Sequence, residues 1–335
     1  MINIIKKTFK WVGIVLAALA ALVIIAAGGL YINNRVMSDK EAPLREPLGE
    51  IVVVDGHNMS VYIEGSGDET IVFLSGGAMP SPILEYRSLY SLLSNEYKIA
   101  VIEKFGYGFS DDIGEVRSLE TIVEQNREAL RKTGVDAPYI LCPHSATGIE
   151  AILWAQLYPD EVKAIIGLDM SVPEYYAELD KAFGYLEMYK DSEKAGSGLY
   201  QKVWRTLGLT RFMPIDDLLD AFKTGTLTEE EKDIYRAMAY KMYMSDTMSV
   251  EPFCLPGGVE QINSMPKPDA PMLLFISDGK ELMLPDDSMW AEIQKAYIAD
   301  NERGSYVQLD CGHYMHNIEY ELISEKMPEF IEELS

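Results

Sequence analysis

Residues 141–149 read Leu-Cys-Pro-His-Ser-Ala-Thr-Gly-Ile, and this stretch decides the fold. A short apolar run at 139–142 leads into it, and an amphipathic run at 146–158 follows it. The pattern predicts a strand, a sharp turn and a helix, with Ser145 at the turn. A serine held there presents its hydroxyl beside a helix N-terminus, where free N–H groups and the helix dipole stabilise a developing anion. Ser145 is therefore the first candidate for a catalytic nucleophile.

The regions around this stretch alternate between short apolar strands and helical segments, which predicts an α/β protein with a mostly parallel sheet covered on both faces. A hairpin at 51–64 precedes this alternation, and an amphipathic helix at 318–334 ends it. The stretch 171–270 breaks the rhythm, because it is rich in tyrosine and methionine and contains no apolar strand. We interpret it as a helical insertion over the carboxyl edge of the sheet. The predicted strands are 71–74, 98–103, 139–142, 164–168 and 272–276.

The N-terminal region predicts a membrane anchor. Residues 11–32 carry no charge and would form about 33 Å of helix, enough to cross a bilayer. Lys6, Lys7 and Lys10 precede this segment, so the positive-inside rule places the N-terminus in the cytoplasm and the acidic domain outside. A cleaved signal peptide, giving a secreted protein, is the alternative, although its apolar region is normally shorter. Residues 33–50 are polar and predict a tether.

Composition limits the other classes of function. The formal net charge is −24, and a chain so acidic repels phosphate backbones, so we expect no nucleic-acid partner. Cys142, Cys254 and Cys311 have neither metal-ligand spacing nor a disulfide framework, and we expect no metal and no organic cofactor. The predicted domain plan is an anchor with its flank at 1–36, a first core part at 37–170, a helical cap at 171–270 and a second core part at 271–335.

Three further motifs occur in a fixed order around Ser145. Ser-Gly-Gly-Ala stands at 75–78, Glu-Lys-Phe-Gly-Tyr-Gly-Phe-Ser at 103–110, and Asp-Cys-Gly-His at 310–313. With these motifs the chain, from about residue 50 to 335, resembles the α/β-hydrolase superfamily. The resemblance implies a central sheet with helices on both faces, a helical cap and a serine hydrolase site.

Four positions depart from the family pattern. Pro143 and Thr147 stand where the elbow around the serine usually has glycines, and the β-branched Thr147 must be accommodated by a slight shift. Ser75 replaces the usual histidine of the oxyanion loop, and Glu103 replaces the usual aspartate. None of these changes removes a catalytic group.

The resemblance implies a catalytic triad. Ser145 would be the nucleophile and His313, which follows a glycine, the general base. The acid is open among three residues, of which Asp278 is favoured because it follows the strand 272–276, where the family often carries its acid. Asp169, at the end of the strand 164–168, and Glu281 are the alternatives.

The remaining site residues follow from the same resemblance. The backbone N–H groups of Gly77 and Ala146 would form the oxyanion hole. We expect His144 to pack or hydrogen-bond beneath the oxyanion loop, and His316 to begin a helix.

The expected function is hydrolysis of a carboxylic ester through an acyl-enzyme, with a short peptide or amide as the second substrate class. Tyrosine and methionine in the cap predict a largely apolar substrate pocket. The bilayer is the other expected partner, through residues 11–32. The alternative is a non-catalytic surface protein that binds a ligand or partner in the cap groove.

Overall fold

A central sheet of eight strands organises the molecule, whose computed structural model describes residues 2–191 and 198–334. The strands are β1 (Glu50–Val54), β2 (His57–Glu64), β3 (Thr70–Leu74), β4 (Lys98–Glu103), β5 (Tyr139–Pro143), β6 (Val162–Leu168), β7 (Met272–Ile276) and β8 (Gly304–Gln308). Their lateral order is β1-β2-β4-β3-β5-β6-β7-β8. The first two strands are antiparallel to their neighbours, and β4, β3 and β5 to β8 run parallel. The prediction of a mostly parallel sheet is thus confirmed.

Helices cover both faces of the sheet. The helices are α1 (Ile2–Glu41), α2 (Pro82–Glu85), α3 (Arg87–Leu93), α4 (Leu119–Lys132), α5 (Gly148–Leu157), α6 (Pro173–Phe183), α7 (Tyr185–Met188), α8 (Leu199–Leu207), α9 (Ile215–Leu218), α10 (Glu229–Met242), α11 (Asp246–Val250), α12 (Leu255–Asn263), α13 (Ser288–Ile298), α14 (Met315–Ile318) and α15 (Tyr320–Glu332). Successive side chains of a strand point to opposite faces. In β3, Val72 and Leu74 join the core on the side of α4 and α5, whereas Ile71 and Phe73 join the core on the side of α3 and α15. This two-sided burial explains why the strands are continuous apolar runs.

The helices from α6 to α12 lie between β6 and β7 in the chain and form the cap. They contribute a small core of their own, which includes Phe222 and Tyr235 and reaches Leu84 of α2. The cap therefore packs directly on the body of the fold.

The N-terminal helix α1 is the one helix of the described residues that is long and apolar enough to cross a membrane. Its apolar side chains are exposed along the predicted span. The predicted tether at 33–50 was wrong in its first part, because α1 continues as a helix to Glu41. Asn34 and Glu41 explain the difference, since both bind Arg211 of the cap and so hold the polar end of the helix in place.

Candidate active site

Ser145 lies at a strained corner directly after β5. Its φ of 56° is left-handed, a conformation that costs energy for a residue with a side chain. The helix after Ser145 approaches the chain after β6 closely at Gly148. A Cβ at this position would lie 2.1 Å from the carbonyl oxygen of Ser171, so only glycine fits there. Thr147 fits because its buried hydroxyl bonds to the carbonyl of His144 at 2.9 Å. The departure from the family pattern at position 147 is thus accommodated locally.

His313 and Asp169 complete a chain of hydrogen bonds that starts at Ser145. The Nε2 atom of His313 lies 2.8 Å from Ser145 Oγ, and its Nδ1 atom lies 2.6 Å from Asp169 Oδ2. The three side chains come together because β5 and β6 are parallel neighbours, so Ser145 and Asp169 follow adjacent carboxyl ends. The loop after β8 brings His313 over both. This is the arrangement of nucleophile, base and orienting acid that acyl transfer requires.

Asp169 is held in place by the body of the protein. It is fully buried and has a left-handed φ of 48°. Its Oδ1 atom accepts hydrogen bonds from the backbone N–H of Ser277 at 2.7 Å and from Trp290 Nε1 at 2.6 Å. One carboxylate oxygen is therefore held by Ser277 and Trp290, and the other binds the imidazole of His313.

The structure corrects the choice of acid. Asp278 does not bind the imidazole; its carboxylate, 19% exposed, instead binds the Nζ of the exposed Lys280 at 2.6 Å. That ion pair lowers the pKa of Asp278. Glu281 lies nearer, but it accepts a hydrogen bond from the backbone N–H of His313 at 2.8 Å and does not bind the imidazole. Glu281 therefore shapes the histidine loop.

His144 contacts both the loop that carries His313 and the loop that carries Gly76. Its Nε2 lies 3.1 Å from the carbonyl oxygen of His313, and its Nδ1 lies so close to Gly76 that a Cβ at that position would be 2.4 Å away. Burial, together with the nearby rings of His313 and His316, lowers the pKa of His144 well below its usual value. A neutral His144 thus joins the oxyanion loop to the histidine loop. His316 is fully buried in α14, 3.4 Å from Glu85 Oε1, and takes no part in the triad.

The proposed oxyanion residues line a large cavity. Gly77 and Ala146 line it, together with Ala78, whose φ of 60° is also left-handed. The cavity measures about 440 Å³, and its walls come from both the core and the cap. They are largely apolar or aromatic; examples are Tyr107, Leu119, Ile149, Tyr176, Met248 and Leu255. A cavity of this size and character accepts a small or medium organic molecule.

One wall of this cavity is charged, a feature that sequence reasoning missed. Lys104 Nζ lies 2.5 Å from Glu150 Oε1 and 2.7 Å from Glu251 Oε1, and the lysine is almost completely buried. Burial alone would lower the pKa of Lys104, but the two carboxylates outweigh it and raise that pKa. Arg117 lies 3.8 Å from the second oxygen of Glu251. Lys104 and Arg117 thus neutralise the two carboxylates that line the cavity, and the cluster of four side chains carries no net charge.

Sequence reasoning also missed Trp290, which orients Asp169. No local motif marks it, because it lies on α13, more than a hundred residues along the chain from its partner. Among the described residues, no group of three or more histidine, cysteine or acidic side chains is arranged to hold a metal ion.

Comparisons with solved structures place this architecture among known folds. The epoxide hydrolase VrEH1 of Vigna radiata aligns with a TM-score of 0.64 and 18% identity, over 87% of this chain and 99% of that one. ALR0039 of Nostoc sp. PCC 7120, described as a putative alpha/beta hydrolase, aligns with a TM-score of 0.63 and 16% identity, over 84% and 97%. At such low identity the likeness shows the fold, which is that of the α/β-hydrolases.

Comparison of sequences gives a nearer relative. The uncharacterized protein YbdG of Bacillus subtilis is 38% identical over 272 residues, which is 81% of each chain. No protein-family model matches the chain. An identity of this level over this length shows common descent, so the chain, which has the fold of the α/β-hydrolases, belongs to the family of YbdG.

Proposed function

We propose that this protein is a serine hydrolase that cleaves a carboxylic ester through an acyl-enzyme. The observation that carries the proposal is the continuous hydrogen-bonded path from Ser145 Oγ through His313 to Asp169. The fold by itself supports many kinds of chemistry, so the proposal rests on these atoms.

In the proposed reaction, His313 Nε2 takes the proton of Ser145 as the hydroxyl attacks the ester carbonyl. Asp169, bonded to Nδ1, fixes the tautomer that leaves Nε2 free to accept and stabilises the imidazolium that forms. The backbone N–H groups of Gly77 and Ala146 would stabilise the oxyanion. His313 then returns the proton to the leaving alcohol, and water releases the acid by the same steps in reverse.

The charged wall of the cavity favours an ester over a peptide with a free amine. An aminopeptidase site needs an uncompensated carboxylate that can hold the substrate's ammonium group. Here the carboxylates of Glu150 and Glu251 are already engaged by Lys104. The apolar remainder of the cavity suits a small or medium acyl chain.

We further propose that α1 keeps the enzyme on a membrane, with its catalytic domain outside the cytoplasm. The uncharged segment at 11–32 and the lysines before it support this placement. A cleaved and secreted form is the alternative.

A fluorophosphonate probe tests the catalytic proposal against a purely binding role. We expect the probe to label the native protein, and we expect the variants Ser145→Ala and His313→Ala to show no labelling. A panel of acyl esters and aminoacyl amides then distinguishes the two substrate classes. A folded native protein that reacts with no probe would show that the fold serves binding alone.

A further inference from the structure

Three apolar side chains project from the cap near the end of α1. Tyr200 and Val203 lie three residues apart on α8, so they share one face of that helix. They are 59% and 43% exposed, and Phe212, five residues after the helix, is 69% exposed. We call these three residues the cap ridge. Two aromatic rings and a branched side chain so exposed beside the polar end of α1 suggest a partner surface.

Contacts between α1 and the cap give a definite depth to the turn after α8, which lies between Val203 and Phe212 in the chain. Asn34 Nδ2 donates to the carbonyl of Arg205 at 2.9 Å, and Gly208 packs so tightly on Asn34 that a Cβ there would lie 2.5 Å from its side chain. Asn34 follows the apolar segment by two residues, which is about 3 Å along a helix. The headgroup layer extends roughly 5–7 Å beyond the hydrocarbon on each side. If the segment 11–32 spans the bilayer, the turn after α8 lies within the headgroup layer.

A second set of contacts fixes this arrangement. Arg211 donates to Asn34 Oδ1 at 2.9 Å and binds both carboxylate oxygens of Glu41. Both side chains of this ion pair are about nine-tenths buried. Separating a buried pair leaves an uncompensated charge and is strongly unfavourable. The cap is therefore attached to the anchor at two levels and cannot swing freely away from the membrane surface.

We propose that the cap ridge inserts into the lipid interface of the leaflet at the C-terminal end of the span. This inference rests on the proposed retention of the anchor. Gln201, between Tyr200 and Lys202 on α8, lines the catalytic cavity, so one short helix touches both the lipid and the substrate pocket. The substrate class that fits this geometry is an amphiphilic acyl ester taken from the bilayer.

A depth measurement on the full chain in phospholipid vesicles tests the proposal. A fluorescent label is placed on Phe212→Cys, with Val203→Cys as a second site; the native cysteines are buried and do not compete. The matched control is Tyr306→Cys on the edge strand β8, where the side chain is 49% exposed. Lipids that carry a quencher near the headgroup should quench the labels at 212 and 203 strongly and the label at 306 no more than free dye. Equal quenching at all three sites would overturn the proposal, as would crosslinking at 212 between copies of the chain.

The depth measurement needs no turnover, so it remains decisive even if the enzyme proposal fails. The substrate class is tested separately with Phe212→Asp and the control Tyr306→Asp. We expect Phe212→Asp to lower hydrolysis of a long-chain ester embedded in vesicles several-fold while hydrolysis of a water-soluble short ester stays unchanged. An equal loss on both substrates would contradict delivery from the bilayer.

Discussion

At the scale of single residues, Asp169 shows how position in the fold assigns a role. It resembles any aspartate at the end of a strand until Ser277 and Trp290 bind one of its oxygens and His313 binds the other. Asp278 has a similar place after β7, yet its partner is the exposed Lys280. The difference between the two carboxylates lies entirely in what surrounds them.

This difference predicts opposite results for two isosteric variants. Asp169→Asn should lower kcat by about 10³–10⁴-fold, because the amide favours the wrong histidine tautomer. Asp278→Asn is the matched control and should change kcat by less than about twofold, since Asp278 binds Lys280 and not the imidazole. Steady-state kinetics on a soluble ester measure both. A large loss for Asp278→Asn with a small loss for Asp169→Asn would reverse the assignment of the acid.

Glu103 predicts a pH dependence of stability. Burial raises the pKa of this carboxyl from 4.5 to about 7. Below pH 4.5 both the folded and the unfolded state hold the proton; as the pH rises towards 7 the unfolded state loses it first. The contribution of the raised Glu103 pKa to the free energy of unfolding is therefore fully present below pH 4.5 and is lost as the pH rises through 7.

The variant Glu103→Gln lacks this titration. We expect the stability of the native protein relative to Glu103→Gln to fall by about 3 kcal/mol between pH 4.5 and a pH well above 7. Urea unfolding at a series of pH values measures the difference. Parallel pH profiles for the two proteins would show that Glu103 ionises normally in the folded state.

At the scale of elements, the buried charges of Lys104, Glu150 and Glu251 join three parts of the chain. Lys104 follows β4, Glu150 lies on α5 and Glu251 follows α11 in the cap. The network therefore connects the cap to the core at the wall of the cavity. Its contribution to the stability of the fold depends on every charge having a partner, because removal of one side chain leaves buried charges unpaired.

Lys104→Met should consequently destabilise the protein by about 3–5 kcal/mol, because two carboxylates lose their common cation. The control is Lys163→Met, whose partly exposed pair with Glu69 should contribute about 0–1 kcal/mol. Chemical denaturation compares the two variants. A similar small loss in both would mean that water or rearrangement compensates the carboxylates at the cavity wall.

At the scale of the whole molecule, the N-terminal helix α1 and the cap form one connected structure. Asn34 and Glu41 bind the cap, so the end of the apolar segment is held beside α8. The polar sequence at 33–50 gave no indication of this attachment. If α1 stays in a membrane, as proposed, it sets the orientation of the cap relative to the bilayer.

Membrane fractionation tests whether the anchor is retained. We expect the full chain to sediment with membranes and to stay there in high salt, since apolar insertion is not screened by ions. A variant with two lysines in place of Leu19 and Leu22 should leave the membrane fraction, because charges at the centre of a span are costly. Native protein found in the medium with a shortened N-terminus would instead establish the cleaved form.

The sequence by itself determined the parts of the protein that depend on local pattern. Apolar runs of strand length, separated by helical segments, specified the mostly parallel sheet, because strands buried on both faces must be apolar throughout. The motifs around Ser145 and His313 identified the two residues that the structure places 2.8 Å apart. An uncharged segment long enough to cross a bilayer was equally visible.

Only the tertiary structure decided which carboxylate meets the histidine, what holds it there and how the anchor meets the cap. Each of these depends on the lateral order of strands and on contacts between residues far apart in the chain. Asp169, after β6 and beside β5, meets His313, whereas Asp278, after β7, pairs with Lys280. Spacing along a sequence carries no record of that order, since it is set by how the whole chain packs.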